Sequence, residues 1–268
     1  MSMNTTSRLA MTLDDFSNQT LAIVMVEVKK LWQDPAELAT RAIQPILWLG
    51  VFGQVMSRAR AIPTGSMSYI DFVTPGILAQ SALFISIFYG ISLIWERDLG
   101  VLHKYLATPA YRGSLVLAKA VSAGIRACSQ AIIVYILALI MGVNLRLTPF
   151  AIAGVLVFIV LGAGVFSTFS LVIACIVKTR ERFMGIGQVL TMPLFFASNA
   201  IYPISVMPEW LKILSHVNPL TYQVDALRTL MVQGGQSTLG LGTDLAVQAM
   251  VLAVLIIIGS KLYPRAII

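Results

Sequence analysis

Six long runs of uncharged, mostly apolar residues constrain this chain more than any other feature of its sequence. They cover residues 42–57, 72–95, 127–145, 147–177, 183–208 and 245–260. The hydrocarbon core of a bilayer is ~30 Å thick, so a helix that crosses it needs about 20 mostly apolar residues. The first and last runs approach that length with their apolar flanks. The runs therefore predict an all-α membrane protein with six transmembrane helices.

The overall composition agrees with this class of protein. Hydrophobic residues make up 57% of the 268 residues and charged residues only 12%, whereas a soluble domain carries roughly a quarter charged residues. The formal net charge is +7, but the basic residues are scattered, and nucleic-acid binding requires a basic patch or stripe. Composition therefore argues against a soluble enzyme, a disordered chain and a nucleic-acid partner.

Lysine and arginine are distributed unevenly between the two sides of the predicted spans. Twelve of them fall before the first span, in the second-to-third and fourth-to-fifth loops, and in the C-terminal tail, while five fall on the other side. Cytoplasmic loops carry the excess of basic residues in membrane proteins. We therefore expect a multi-pass protein of the cell (inner) membrane with both termini in the cytoplasm.

The segment before the first span has the pattern of an amphipathic helix. Charged residues recur there at steps of three and four, and apolar residues recur on another face. Such a helix is expected to lie along the cytoplasmic membrane surface, with Trp32 at headgroup level. The alternative is a helix packed on the surface of a partner protein. The candidate contact residues of this interfacial helix are Glu27, Lys30, Leu31 and Trp32.

The loop between the second and third spans is longer than a helix reversal needs. Over residues 95–109 it reads as a short charged helix with one apolar stripe of leucines. A helical pattern in an unusually long loop indicates a docking surface, and the alternative is a solvated interfacial helix. The candidate residues are Glu96, Arg97, Asp98, Gly100, Leu102 and Leu106.

About forty residues separate the fifth span from the sixth on the outer side. Residues 208–214 and 218–228 each have the pattern of a short helix that begins at or just after a proline. These segments are too short to span a bilayer and too apolar to be free in water. We expect short re-entrant or interfacial helices that cap the outer end of the protein.

Motifs for catalysis or nucleotide binding are absent from the sequence. It has no Gly-Lys pair and so no phosphate-binding loop of the Walker A type, and it lacks the H-E-x-x-H and G-x-S-x-G motifs. Two basic residues, Lys119 and Arg126, fall within the third span, seven residues apart. Lys119 is near enough to the cytoplasmic boundary to extend towards it. Arg126 is deeper, so it must face protein, water or an anionic substrate or lipid.

The chain resembles the membrane subunit of ABC-2 type transporters, in particular the drug-resistance and nodulation-factor branch of these permeases. The matching motifs are PILWLGVFG (45–53), ERDLGVL (96–102) followed by TP (108–109), Lys119, NAIYP (199–203) with MP (207–208), and NPLTY (218–222) with DALR (225–228). The family often has glutamate where this chain has Asp98. The resemblance extends over nearly the whole chain from about Val24.

This resemblance implies a single membrane domain over residues 1–268. A cytoplasmic tail and the interfacial helix would occupy residues 1–41, the six helices residues 42–263, and a second cytoplasmic tail residues 264–268. It also implies a non-catalytic half-transporter that works as a dimer, expected to be a homodimer, with two copies of a separate ATP-binding subunit. The interfacial helix and the loop 96–108 would contact those subunits. The chain itself would bind no cofactor, because ATP and Mg²⁺ belong to the partner ATPase.

The function that follows from the resemblance is export of a hydrophobic drug or lipid-like compound, driven by ATP. An alternative within the family is export of a glycolipid or polysaccharide through a wider channel lined by aromatic residues. An alternative from another class is a membrane carrier or scaffold that needs no ATPase. The presence or absence of an ATP-binding partner distinguishes this last alternative from the first two.

Overall fold

A computed structural model of the chain describes residues 17–22, 24–26, 29, 35–60, 62–65, 67–100, 112–177 and 179–263. Within these ranges the regular secondary structure is helical, apart from one isolated bridge between Leu145 and Val232. The all-α class predicted from the sequence is therefore confirmed for the part of the chain that is described.

The helices follow one another with short connections. In chain order they are α1 (Pro35–Ile46), a π-helical stretch (Leu47–Gly53), α2 (Gln54–Ala59), α3 (Tyr69–Tyr89), α4 (Ile91–Asp98), α5 (Arg112–Ile140), α6 (Pro149–Ile176), α7 (Arg180–Phe196), a 3-10 turn (Ile204–Val206), α8 (Glu209–Val217), α9 (Pro219–Met231) and α10 (Leu241–Leu262). Residues 17–22, 24–26 and 29 are also helical.

Four helical stretches are long and apolar enough to cross a membrane. They are Tyr69–Asp98, Gly113–Ile140, Pro149–Ile176 and Leu241–Leu262. These stretches contain or overlap the second, third, fourth and sixth apolar runs, for which the prediction of membrane-length helices is confirmed. The first run lies in the broken helix made of α1, the π-helical stretch and α2, and the fifth lies in α7.

The first helix is broken because Pro45 lies inside α1. Proline has no backbone N–H, so the carbonyl of Arg41, four residues earlier, loses its helical hydrogen bond. The Gln130 side chain of α5 replaces it, with Nε2 donating to the Arg41 carbonyl at 3.2 Å. A π-helical stretch then begins at Leu47, and such wider turns are commonly found where a helix is distorted.

Helix α7 ends earlier than the apolar run in the sequence. The run continues to residue 208, but the helix has 17 residues and ends at Phe196. The hydroxyl of Ser198 donates to the carbonyl of Phe195 at 2.7 Å, which satisfies a terminal acceptor of the helix. Pro203 follows and cannot continue a helical hydrogen-bond ladder. Hydropathy alone does not show that the helix ends at these residues.

Helix α6 lies at the centre of the domain, packed against α3, α5, α9 and α10. Helix α9 has only 13 residues, yet ten of them are buried. It is therefore inserted among the long helices rather than resting on their outer surface. This position brings its polar side chains, including Asp225 and Arg228, into the protein interior.

Small residues allow the closest approaches between these elements. A Cβ atom added at Gly76 in α3 would collide with the backbone of Ala200. A Cβ atom added at Gly162 in α6 would collide with the side chain of Gln223 in α9. The segment after α7 and helix α9 can thus approach the long helices only because these positions lack side chains.

The contact at Gly76 gives a direct test of the packing. Gly76→Ala is expected to lower the stability of the protein by about 1–3 kcal/mol, because backbone atoms at Ala200 cannot move aside as a side chain would. Thermal unfolding in detergent, followed by size-exclusion chromatography, measures this change. Gly185→Ala is the matched control, since a Cβ atom there meets nothing within 4 Å. Equal unfolding temperatures for both variants would contradict the packing.

Candidate functional site

The structure describes half of the twelve candidate residues. Glu27, Lys30, Leu31, Trp32, Leu102 and Leu106 lie outside the described residues. The segment Glu96 to Asp98 occupies the last turn of α4, which continues the second span, and Gly100 follows in a turn. These residues therefore belong to the end of a membrane helix rather than to a separate loop helix. Lys119 and Arg126 lie on α5.

Glu96 and Lys119 form a buried ion pair between α4 and α5. Lys119 Nζ donates to Glu96 Oε1, and the two side chains are 10% and 7% exposed respectively. A charge removed from water is tolerated when an opposite charge and hydrogen bonds compensate it. Lys119 therefore has a partner inside the protein instead of extending to the membrane surface. Glu96 is likewise an internal residue and not an exposed docking contact.

Tyr89 and Arg126 extend this pair deeper into the domain. The Arg126 guanidinium carbon lies 5.1 Å from the centre of the Tyr89 ring, and Lys119 Nζ lies 5.5 Å from the same centre. An aromatic face attracts a cation at such distances. Lys119 and Arg126 lie seven residues, about two helical turns, apart on α5. Tyr89 ends α3, seven residues before Glu96 on α4. We call Tyr89, Glu96, Lys119 and Arg126 the inner polar cluster.

The end of α4 is also connected to the start of α7. Asp98 Oδ2 accepts hydrogen bonds from Arg180 Nε at 3.1 Å and Nη2 at 2.7 Å, and the Arg180 guanidinium lies 3.4 Å from the centre of the Trp95 ring. Arg97 Nη1 donates to the Val177 carbonyl at 3.4 Å. We call this set of contacts the α4–α7 junction. Sequence reasoning did not single out Trp95 or Arg180, because no local pattern links residues about 80 positions apart.

Asp225 on α9 holds the segment between α9 and α10. Its carboxylate accepts hydrogen bonds from Ser237 Oγ at 2.6 Å, Thr238 Oγ1 at 2.7 Å, and the amides of Thr238 and Leu239. Side-chain and backbone donors together stabilise a buried carboxylate. The non-helical segment 232–240 is thereby fastened to a buried helix.

Arg228 has a similar role towards two other segments. Its Nε donates to the Phe72 carbonyl at 3.2 Å and its Nη2 donates to the Asn199 carbonyl at 2.7 Å, with the guanidinium 3.8 Å from the centre of the Phe72 ring. Burial lowers the pKa of Arg228 to about 10, while the nearby Asp225 carboxylate raises it. The guanidinium remains charged at neutral pH. The DALR motif thus has a structural role that its sequence did not reveal.

Among the described residues, no group of three or more histidine, cysteine, aspartate or glutamate side chains could hold a metal ion. The ionisable residues instead connect helices inside a domain of membrane-length helices. Ionisable residues in such positions are typical of membrane proteins that move solutes. The fold and the site define a polytopic helical membrane protein of the transport class.

Comparison with known proteins assigns the family. The ABC-2 type transporter family matches residues 18–232. The chain therefore belongs to the ABC-2 type transporter family of membrane proteins, as its sequence motifs predict.

Several relatives carry names that agree with this family. The ycf38 protein of Cyanophora paradoxa, named as a transport permease, is 30% identical over 213 residues, which cover 77% of this chain and 73% of that protein. The daunorubicin resistance ABC transporter permease protein DrrB1 of Streptomyces coeruleorubidus is 25% identical over 230 residues, or 85% of this chain and 80% of DrrB1. Nodulation protein J of Sinorhizobium fredii is 24% identical over 183 residues, or 67% of this chain and 66% of that protein.

The buried ion pair leads to a stability prediction. Glu96→Gln is expected to destabilise the protein by about 3–5 kcal/mol, because it leaves the Lys119 charge buried without its carboxylate. The double variant Glu96→Gln with Lys119→Gln should recover much of this loss. Chemical unfolding in detergent measures all three proteins.

The control for this prediction is an ion pair on the protein surface. Glu209 and Lys212 form one at 2.7 Å, with the Glu209 side chain 85% exposed. Glu209→Gln is expected to change stability by no more than ~1 kcal/mol. Equal effects of Glu96→Gln and Glu209→Gln would show that the inner pair contributes no more than a surface contact.

Proposed function

We propose that this chain is the membrane subunit of an ATP-binding cassette exporter for a hydrophobic drug or lipid-like substrate. Family membership over residues 18–232 carries the proposal. The relative DrrB1, which is named for daunorubicin resistance, supports a drug-like substrate. ATP would be hydrolysed on two separate ATPase subunits, with Mg²⁺ bound there, while this chain forms the translocation pathway and catalyses no reaction.

In this proposal six helices cross the inner membrane and both termini lie in the cytoplasm. The broken helix of α1 to α2 would be the first span and α7 the fifth, and α8 and α9 would be the re-entrant outer helices. Both proposed spans expose large apolar side chains, such as Ile43, Leu47 and Val51 on the first and Val189 on the fifth. Lipid or a second copy of the chain must cover these faces in the membrane. This exposure supports the six-span count, and in a homodimer the second copy would cover part of it.

The α4–α7 junction and the inner polar cluster would transmit motion from the ATPases. Asp98 and Leu99 are exposed at the end of α4, while Glu96 on the same turn is buried against α5. A force on the exposed residues would therefore reach both α5 and α7 through paired side chains. The same ATPases would contact the interfacial helix around Glu27 to Trp32. Closure of the ATPase dimer would then open the pathway towards the outside.

Purification of the chain from its native membrane tests the proposal. An ATP-binding subunit should co-purify in stoichiometric amount with vanadate-sensitive ATPase activity. If the chain instead emerges alone and without ATPase activity, under conditions that preserve known transporter complexes, an ATP-independent carrier or scaffold replaces the exporter.

Substitutions at the cytoplasmic end test the coupling route. Asp98→Ala and Leu102→Asp are each expected to reduce substrate-stimulated ATPase activity several-fold in the assembled complex, because they alter the surface that receives the motion. Glu96→Ala should do the same, but it also removes the partner of Lys119, so Asp98→Ala is the cleaner variant. Glu209→Ala, on the opposite side of the protein, is the control. Normal stimulation in Asp98→Ala and Leu102→Asp at normal assembly would refute the route.

A further inference from the structure

A cavity of 610 Å³ lies where three connections between helices meet α9. Its lining comes from the α2–α3, α7–α8 and α9–α10 connections, and from Phe72, His216, Asp225 and Arg228 on the helices. Pockets that hold a small molecule have volumes of about 300–1,000 Å³. The cavity is therefore large enough for one small ligand or for the head group of a larger one.

The side chain of Asn199 borders this cavity without a hydrogen-bond partner. Asn199 is 3% exposed, and its Oδ1 atom accepts no hydrogen bond from the described residues. Arg228 donates to the backbone carbonyl of Asn199 instead, which leaves the side-chain amide for another partner. A buried polar atom without a partner in the protein requires water or a ligand. An amide offers both an acceptor and two N–H donors, so a hydroxyl group, which also accepts and donates, matches it.

The charges around this cavity offset each other. Arg228 and Asp225 are the residues of the lining with a permanent charge, and their opposite charges attract each other. Asp244 interacts with Asp225 but lies outside the lining, and its fully buried carboxyl has no donor among the described residues, which favours its neutral form. Ala61 and Ser66, which lie outside the described part of the α2–α3 connection, carry no charge. The described lining therefore favours an uncharged ligand.

The rest of the lining combines polar groups with apolar surface. Ser205 and Gln236 supply a hydroxyl and an amide, and Met67, Ile204 and Leu239 supply apolar side chains. A hexose ring has hydroxyl groups around its edge and C–H groups on its faces. It can therefore form hydrogen bonds with the first kind of group and remove the second from water, and it brings no charge into the cavity.

We propose that this cavity binds an uncharged polyhydroxyl group such as a hexose ring. The Asn199 amide exchanges hydrogen bonds with the ring hydroxyls, and Met67, Ile204 and Leu239 contact the C–H face of the ring. The ring belongs either to a soluble sugar or to the head group of a membrane glycolipid, because both present the same chemistry. A role of this site in export rests on the proposed function, but binding itself requires no ATPase.

Equilibrium binding to the purified chain in phosphatidylcholine nanodiscs tests the site. The probes are radiolabelled octyl glucoside and octyl galactoside, used below the concentrations at which they form micelles. The reference is octyl tetraethylene glycol, an uncharged amphiphile with the same tail and a single hydroxyl. At least one glycoside is expected to bind saturably and about tenfold more tightly than the reference, a difference of about 1.4 kcal/mol. If neither glycoside binds more tightly than the reference, the cavity holds only water and the proposal is wrong.

Matched variants locate the binding. Asn199→Leu removes the amide but keeps the backbone carbonyl that binds Arg228, so it is expected to weaken glycoside binding about tenfold. It should not lower the unfolding temperature, because the amide has no partner in the protein to lose. Gln236→Leu, at an exposed position of the lining, should weaken binding several-fold, whereas Gln188→Leu, at an exposed position of α7, should not. Unchanged affinity in both Asn199→Leu and Gln236→Leu would place the binding elsewhere; if Asn199→Leu does not fold, Gln236→Leu decides.

Competition with the methyl glycoside of the same sugar distinguishes the two sources of ligand. Displacement of the octyl probe shows that the ring alone is sufficient, as for a soluble sugar. Lack of displacement, together with the Asn199→Leu effect, shows that the tail is also needed, as for a glycolipid; either result supports a sugar site. Failure to recover an ATPase would refute the exporter function and leave this binding intact. Loss of the preference over octyl tetraethylene glycol would refute the site and leave the exporter function intact.

Discussion

A lipid bilayer offers no hydrogen-bond partners, so the chain itself must satisfy each polar group that it places at membrane depth. Helices satisfy most backbone groups, and side chains complete the rest wherever the helices are interrupted. Gln130 takes over the carbonyl freed by Pro45, and Arg228 donates to the Asn199 carbonyl after the end of α7 as well as to the Phe72 carbonyl in α3. Gln130 and Arg228 therefore supply hydrogen bonds at places where regular helix breaks or ends.

The charged residues divide into two groups with different consequences. On α9, Asp225 and Arg228 bond mainly to backbone and hydroxyl groups, which holds irregular segments against the long helices. At the end of α4, Glu96 and Asp98 bond to basic side chains of other helices. Contacts to backbone fix a local shape, whereas contacts between helices make the motion of one helix depend on another. The contacts at the end of α4 therefore link separate helices, and the contacts on α9 stabilise irregular segments.

Burial decides how much each ion pair at the end of α4 contributes to stability. The Glu96–Lys119 pair is nearly removed from solvent, so its loss leaves an uncompensated charge in a medium of low polarity. The pair between Asp98 and Arg180 is about one third exposed, and water weakens it. The first pair would therefore keep α4 and α5 together in any state of the protein. The second is weaker and can open at lower cost.

Hydropathy predicted the all-α class and six spans, four of which are helices of membrane length, because these properties depend on the composition of each segment. Short motifs in the loops and at the helix ends predicted the family. The same sequence placed Lys119 and Arg126 on one helical face but did not identify Glu96 or Tyr89 as their neighbours. It also did not predict the pairing of Asp98 with Arg180 or the early end of α7. Helical periodicity relates residues a few positions apart within one segment. Which faces of separate helices meet is decided only by tertiary packing, through small residues that permit close approach and buried polar groups that require a partner.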